Sequence, residues 1–239
     1  MVVRARHLRG FVVKLHTDVL IIARLMGLYA KHILPHVIDI AMRNKETARL
    51  RGEWLPGARG EVLEVGIGSG LNLPFYSPQV HRVYGLDPSV ELQRMARERA
   101  RFGPTEVEFI LQSAEDPLPL ADESVDTVVS TWTLCSIPNA ARALLQMRRV
   151  LKSNGRFIFL EHGRAPDPDV VAWQNRLTPL WKRIGGGCHL NRKVDELIKA
   201  AGFQINELKT FYIAEPRPMT YTYQGVAQVA SWREKNSQG

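Results

Sequence analysis

The sequence predicts an α/β protein: a mostly parallel sheet of seven strands with helices on both faces, plus N-terminal amphipathic helices. Three observations carry that prediction. Short aliphatic, β-branched runs alternate with helix-period segments from Glu61 to Leu160, the order that builds βαβ units. The first run, Glu61–Val65, stops at Gly66-Ile67-Gly68-Ser69-Gly70, a turn that lets the backbone approach a ligand closely. Two strand-like runs then end the chain with no helix between them, as an antiparallel closing pair does.

The length of 239 residues suits one such domain with an appendage, and 45% hydrophobic with 23% charged residues is ordinary for a globular protein. We divide the chain into a basic helical arm or lid, residues 1–59, and a domain over residues 60–239. The net charge of +8 is concentrated in the arm, where eleven Lys and Arg face four Asp and Glu. A basic arm is therefore expected, and a nucleic-acid partner is not. The two cysteines, Cys135 and Cys188, are far apart in sequence without metal-ligand spacing, so neither a disulfide framework nor a metal site is expected. The first apolar stretch has no small-residue cleavage site, which makes a cytoplasmic enzyme the default.

Residues 11–42 are rich in aliphatics but are interrupted by Lys14, Asp18, Arg24 and Lys31. No run of about 18 uncharged apolar residues occurs, so the pattern reads as one or two amphipathic helices rather than a membrane span. Pro35 breaks or kinks them near Leu34. Three roles stay open for this arm: a lid, a contact with an anionic membrane surface through Arg4, Arg6, Arg9 and Lys14, or a dimer contact.

After the glycine turn, Leu71–Tyr76 reads as a short helix between prolines. His81–Leu86 is the second strand and ends at Asp87. Pro88-Ser89 opens a helix to about Arg101, with Ser89 as N-cap. Glu106–Leu111 is the third strand and Val125–Ser130 the fourth, followed by Thr131-Trp132-Thr133-Leu134-Cys135-Ser136. Asn139–Lys152 is an amphipathic helix that Ser153-Asn154-Gly155 should end. Arg156–Leu160 is a continuous apolar fifth strand running into Glu161-His162. Arg164–Arg192 is an insertion with Trp173, Trp181 and three successive glycines, either a cover that excludes water or a cap on the core. Lys193–Ala201 is a helix, and Phe203–Phe211 and Met219–Val229 are the last strands.

The carboxyl ends of parallel strands are where such folds bind ligands. An acid at the tip of the second strand, Asp87, stands where ribose hydroxyls are gripped. The dinucleotide fingerprint would need glycine at Leu71, which excludes it. What stands here is Glu64-x-Gly66-x-Gly68-x-Gly70, and a buried Glu64 requires a partner because an isolated buried carboxylate is costly. This pattern resembles motif I of the class I S-adenosylmethionine (SAM) methyltransferases. That resemblance implies a Rossmann-like sheet and SAM as cofactor. It also implies cofactor contacts at Glu64, Gly66, Gly68, Gly70, Asp87, the adenine-side turn Ser113-Ala114-Glu115, and Thr131. The segments Thr131–Ser136, Arg148–Leu151, Glu161-His162, Trp173, Pro179–Trp181, Gly187-Cys188 and Leu190 resemble the thiol S-methyltransferases of animals more specifically. Those enzymes methylate sulfide and small alkyl thiols. They begin with a long uncharged anchoring helix, whereas this amino terminus is studded with Arg and Lys.

The chemistry agrees with a thiol acceptor. A thiol of pKa about 8.5 is already partly thiolate near neutrality, so a weak base is enough. His162 is placed to be that base, or to form a structural pair with Glu161. Cys135 reads as a small buried hydrophobe. A lipid-directed methyltransferase, acting on phosphatidylethanolamine nitrogen or a quinone carbon, is the alternative. A non-catalytic SAM-binding scaffold and an arsenite methyltransferase fit less well.

Overall fold

The structure, a computed structural model, describes residues 24–230. The arm positions Arg4, Arg6, Arg9 and Lys14 lie outside the described residues. The seven strands are β1 Gly60–Val65, β2 Val80–Leu86, β3 Glu106–Ile110, β4 Val125–Thr131, β5 Leu151–His162, β6 Phe203–Tyr212 and β7 Tyr221–Val229. They form one sheet in the order β3-β2-β1-β4-β5-β7-β6. All pairs from β3 to β5 are parallel, and β7 runs antiparallel to both β5 and β6. The expected antiparallel closing pair is present.

The helices are α1 Leu34–Ala41, α2 Lys45–Trp54, α3 Val90–Ala100, α4 Ala140–Val150, α5 Pro168–Ile184 and α6 Val194–Ala200. They cover both faces of the sheet. On one face α4 and α6 bury Leu144, Met147 and Ile198 against Leu63, Phe157 and Phe159. On the other, Ala96 of α3, Leu55 and Ala58 pack on Val62, Val129 and Ile158. Ser89 caps α3 by accepting from the Leu92 amide at 3.3 Å, and Asn139 caps α4 by accepting from the Arg142 amide at 3.0 Å.

Three expected boundaries shift. The segment Leu71–Tyr76 makes only the 3₁₀ turn Leu73–Phe75, because Pro74 has no amide to continue it. Helix α4 stops at Val150, and Ser153-Asn154-Gly155 lies inside β5 instead of capping the helix. Gly155 is there for room: a Cβ would come within 2.5 Å of Leu151 Cδ1. Residues 164–192 contain a 17-residue helix, α5, that carries Pro179 in its interior.

The described part of the arm is helical over residues 24–28, then a π-turn at Tyr29–Ile33, then α1, with Pro35 in its first turn. Asp39 of α1 is buried and paired with Arg43 and, at 2.9 Å, with Arg99 of α3. Arg99 also donates to the Ser69 carbonyl in the glycine turn. At the other end, Tyr29 donates to the Ile184 carbonyl at the end of α5, 3.0 Å away.

Leu144 is fully buried on the apolar stripe of α4. Leu144→Ala is expected to lower unfolding free energy by about 2–5 kcal/mol, measured by urea denaturation with an unchanged slope.

Candidate active site

β1 delivers the chain into the glycine turn at the carboxyl edge of the sheet. Gly66, Gly68 and Gly70 have φ of +73°, +55° and +80°, a region that L side chains rarely adopt. A Cβ on Gly66 would also fall 2.2 Å from Thr133 Oγ1, so the turn can reach the end of β4 only without a side chain there. Around Gly68 the space is open, which leaves backbone free to meet a ligand. Asp87 at the tip of β2 faces this turn. Its Oδ2 accepts from the Gly68 amide at 3.0 Å, and its Oδ1 accepts from the Ser89 amide at 2.8 Å. Burial raises the Asp87 pKa, and these two amides oppose the shift.

Glu64 anchors a buried polar chain. Its carboxylate accepts from Asn72 Nδ2 at 2.9 Å and from the Tyr76 hydroxyl at 2.7 Å. Asn72 also donates to Thr131 Oγ1 at 2.9 Å and accepts from Arg51 Nε at 2.9 Å. The Arg51 guanidinium lies 5.0 Å from the Trp132 ring centroid. Burial pushes the Glu64 carboxyl up to about 7, against the pull of Tyr76, Asn72 and the Arg51 charge. Such a group gains from a further cation nearby, and a cofactor with a cationic amino group and a ribose fits Glu64 together with Asp87.

Alternation along the strands puts Glu64, Thr131 and His162 on one face of the sheet, the face that also carries Val62, Val129 and Ile158. Trp132, just past β4, holds φ of +51°, a strained conformation for an aromatic residue. On the opposite face Glu161 is fully buried. It accepts from Ser130 Oγ at 2.6 Å and from the Thr133 amide at 3.2 Å. Burial raises its pKa to about 7, and Ser130 and the amides of residues 133–135 oppose this. Glu161 and His162 therefore point to opposite faces, and the expected structural pair between them is not formed.

His162 is 7% exposed. Its Nδ1 lies 3.6 Å from Cys188 Sγ, and its Nε2 is buried with no hydrogen-bond partner among the described residues. Cys135 and Cys188, distant in sequence, meet in an apolar cluster with Leu190, flanked by Leu177, Trp181 and Met219. Both are free thiols. Cys135 is buried as expected, yet its neighbour is the second cysteine.

The Ser113-Ala114-Glu115 turn follows β3 at the same edge. Ser113 Oγ accepts from the Glu115 amide at 3.2 Å, Ala114 is buried, and the Glu115 carboxylate accepts from the Asn139 amide before α4. The backbone of this turn, more than its side chains, is available to a ligand.

Sequence reading missed Arg51, Asn72 and Tyr76. The signal for the last two was the demand of Glu64 for partners. Arg51 lies in a stretch that showed only helical character, and nothing in its spacing pointed to the site. The meeting of Cys135 with Cys188 had no local signal either, since 53 positions separate them.

A family model described as a methyltransferase domain matches residues 63–159. Thiol S-methyltransferase TMT1B from Rattus norvegicus is 37% identical over 160 residues, covering 65% of each chain. Thiol S-methyltransferase TMT1A from Homo sapiens is 34% identical over 177 residues, 70% of this chain and 71% of that one. A phosphatidylethanolamine N-methyltransferase from Cereibacter sphaeroides is 38% identical over 142 residues, 59% of this chain and 70% of that one. The chain spans just under two thirds of the length of the rat protein. Among solved structures, a putative methyltransferase from Haloferax volcanii bound to the Trm112 activator superposes with a TM-score of 0.64. It is 19% identical and covers 86% of this chain and 98% of its own, which shows the shared fold. The chain thus belongs to the SAM-dependent methyltransferases, in the family of the thiol S-methyltransferases TMT1A and TMT1B.

Proposed function

We propose that this protein transfers the methyl group of SAM to small thiols such as sulfide, methanethiol or alkyl thiols. The observation that carries the reading is the buried, unpartnered His162 Nε2 in a mostly apolar surround. An acceptor there needs one weak base and no cluster of acids. Glu64 receives the cationic amino group of the cofactor, with Gly66, Gly68 and Gly70 giving the backbone room to close on it. Asp87 takes the ribose hydroxyls, the Ser113-Ala114-Glu115 turn frames the adenine, and Thr131 holds the floor beside Glu64 through Asn72. The cofactor supplies an electrophilic methyl on a cationic sulfur.

The chain's own part is to place and deprotonate the acceptor. With Nδ1–H directed at Cys188, His162 presents Nε2 as the proton acceptor. The acceptor S–H gives its proton to Nε2, while Nδ1 is held against the Cys188 sulfur. The arm, residues 1–59, serves as a lid, since Asp39 and Tyr29 fasten its described part near the glycine turn and α5. No helix among the described residues is long and apolar enough to cross a membrane.

A lipid acceptor is the second reading. It draws on the exposed apolar residues of the arm, among them Leu25, Leu28 and Ile40, and on the Cereibacter sphaeroides relative. Incubation with labelled SAM, a thiol panel and phospholipid vesicles separates the two: a methyl thioether is expected, and label confined to lipid would overturn the thiol reading. In the same assay Asp87→Ala should weaken cofactor binding roughly tenfold to a hundredfold, through loss of about 1.5–3 kcal/mol of charged hydrogen bonds.

Glu64 gives a pH dependence of definite sign. Its free-state pKa near 7 means that below about pH 7 the cofactor's cation must displace a proton. Affinity measured by calorimetry should therefore fall as pH drops through about 7, and Glu64→Gln should bind more weakly with that slope removed. For His162→Ala, the loss in kcat/KM should be largest well below the thiol pKa of about 8.5, on the order of a hundredfold. It should shrink above that pH, where the acceptor is already thiolate. A pH-independent loss would remove His162 from proton transfer.

A further inference from the structure

The acceptor end of the site contains a feature that methyl transfer from a sulfonium does not require: two free cysteines in contact. The peptide units that carry them are hydrogen-bonded, the His189 amide donating to the Cys135 carbonyl at 2.8 Å. The two thiols share a cluster otherwise made of Leu190, Leu177, Trp181 and Met219. Cys188 Sγ also lies 3.6 Å from His162 Nδ1, and Trp181 packs against the same cluster. Cys135 Sγ lies 3.7 Å from the Trp132 carbonyl and 3.6 Å from Ser136 Oγ.

We propose that Cys188 and Cys135 form a thiol–disulfide exchange couple that reacts with small-molecule disulfides, the oxidised form of the acceptor class, at the acceptor end of the site. The Cys188 thiolate attacks one sulfur of R–S–S–R, forms a mixed disulfide and expels RS⁻. The Cys135 thiol then attacks the Cys188 sulfur, closes the Cys135–Cys188 bond, and releases the second RS⁻ while its proton leaves to solvent or His162. The small disulfide is reduced to two thiols, and the protein dithiol is oxidised.

The asymmetry between the two sulfurs assigns their roles. The contact with Cys135, then those with His162 and Trp181, hold the Cys188 thiol below its ordinary range against the effect of burial. The same contact with Cys188, together with burial, keeps the Cys135 thiol protonated. Cys188 is also the more accessible, 8% against 2% exposed, and it follows Gly186 and Gly187, whose φ of +65° and +87° mark a sharply turned segment without side chains. Cys188 is thus the attacking thiolate, and Cys135, which gives up its proton as it attacks, is the resolving thiol.

Bridge formation does not depend on the proposed methyl transfer. Its consequence for turnover does, because a bridged Cys188 can no longer accept from His162 Nδ1. The test uses the full-length protein, reduced and freed of reductant, then exposed without oxygen to bis(2-hydroxyethyl) disulfide. Non-reducing peptide mass spectrometry of the unmutated chain should find a Cys135–Cys188 cross-linked peptide, with two thiols released per bridge. Cys135→Ser should stop at a mixed disulfide on Cys188, and Cys188→Ser should react slower by on the order of tenfold or more. Absence of the cross-linked peptide from the folded wild-type protein overturns the proposal, as does a Cys188→Ser variant that reacts as fast as the parent. Loss of thiol methylation on bridging, restored by dithiothreitol, would tie the couple to the acceptor site. Bridging with methylation unchanged would overturn the link to His162 and leave the exchange couple intact.

Discussion

A carboxylate buried inside the first strand organises this site. Glu64 is 1% exposed, and a charge so placed survives only if donors surround it. Tyr76 and Asn72 are those donors, and both lie in the segment just past the glycine turn. Their bonds to Glu64 fold that segment back over the end of β1. Asn72 extends the chain to Thr131 at the end of β4 and to Arg51 of α2. One acid thereby fixes the geometry of the turn, the floor beneath it and the helix before it. Holding that acid near 7 at the expense of easy ionisation leaves a site that gains when a cation arrives.

The two ends of the crevice differ in chemistry, and the sheet enforces the separation. Glu64 and Asp87, at the tips of β1 and β2, make a polar end suited to an amino group and a ribose. His162 at the tip of β5 stands in an apolar end with the cysteines, Trp181 and Met219. Water is a poor competitor in such a surround, and a thiol loses less on leaving water than an amine or a carboxylate does. An imidazole is matched to a thiol and poorly matched to an ammonium group, whose pKa is near 10. The order of strands, with β4 between β1 and β5, sets these two ends one strand apart on the same edge of the sheet.

Local patterning made the sheet readable. Aliphatic and β-branched runs located all seven strands to within a few residues, except that β5 begins earlier, at Leu151. Helical period and flanking glycine together argued for a cap at Gly155, but the tight packing of Leu151 against that glycine made it part of a strand. Residues on the binding turn were legible because Gly66 and Asp87 answer to backbone and charge requirements visible within a few positions. Arg51, Asn72 and Tyr76 were not, because their roles exist only once β1 and its neighbours are assembled. The cysteine contact was hidden for a stronger reason. It depends on where residues 185–189 return after α5, and a loop path of that kind leaves no periodicity in the chain.

The described part of the arm is fastened at two places, and this has a mechanical consequence. Asp39 of α1 grips Arg99, and Arg99 in turn holds the Ser69 carbonyl inside the glycine turn. The shift of Asp39 to a lower pKa, where its partners' hydrogen bonds and charges outweigh burial, keeps this clasp ionised at neutral pH. Tyr29 meanwhile reaches the end of α5 through the Ile184 carbonyl, and α1 residues Leu34 and Ile38 lie against Gly186. A ligand that orders the glycine turn therefore also bears on α1, and α1 bears on the loop that carries Cys188. The cofactor end and the acceptor end are joined by one helix as well as by the sheet. A cover that is free to open must release Arg99 or Tyr29 first, and the buried Asp39–Arg99 pair, with Asp39 only 2% exposed, is the costlier of the two to break. Any opening should then begin at the Tyr29 end, beside α5, while the end held by Asp39 and Arg99 stays closed.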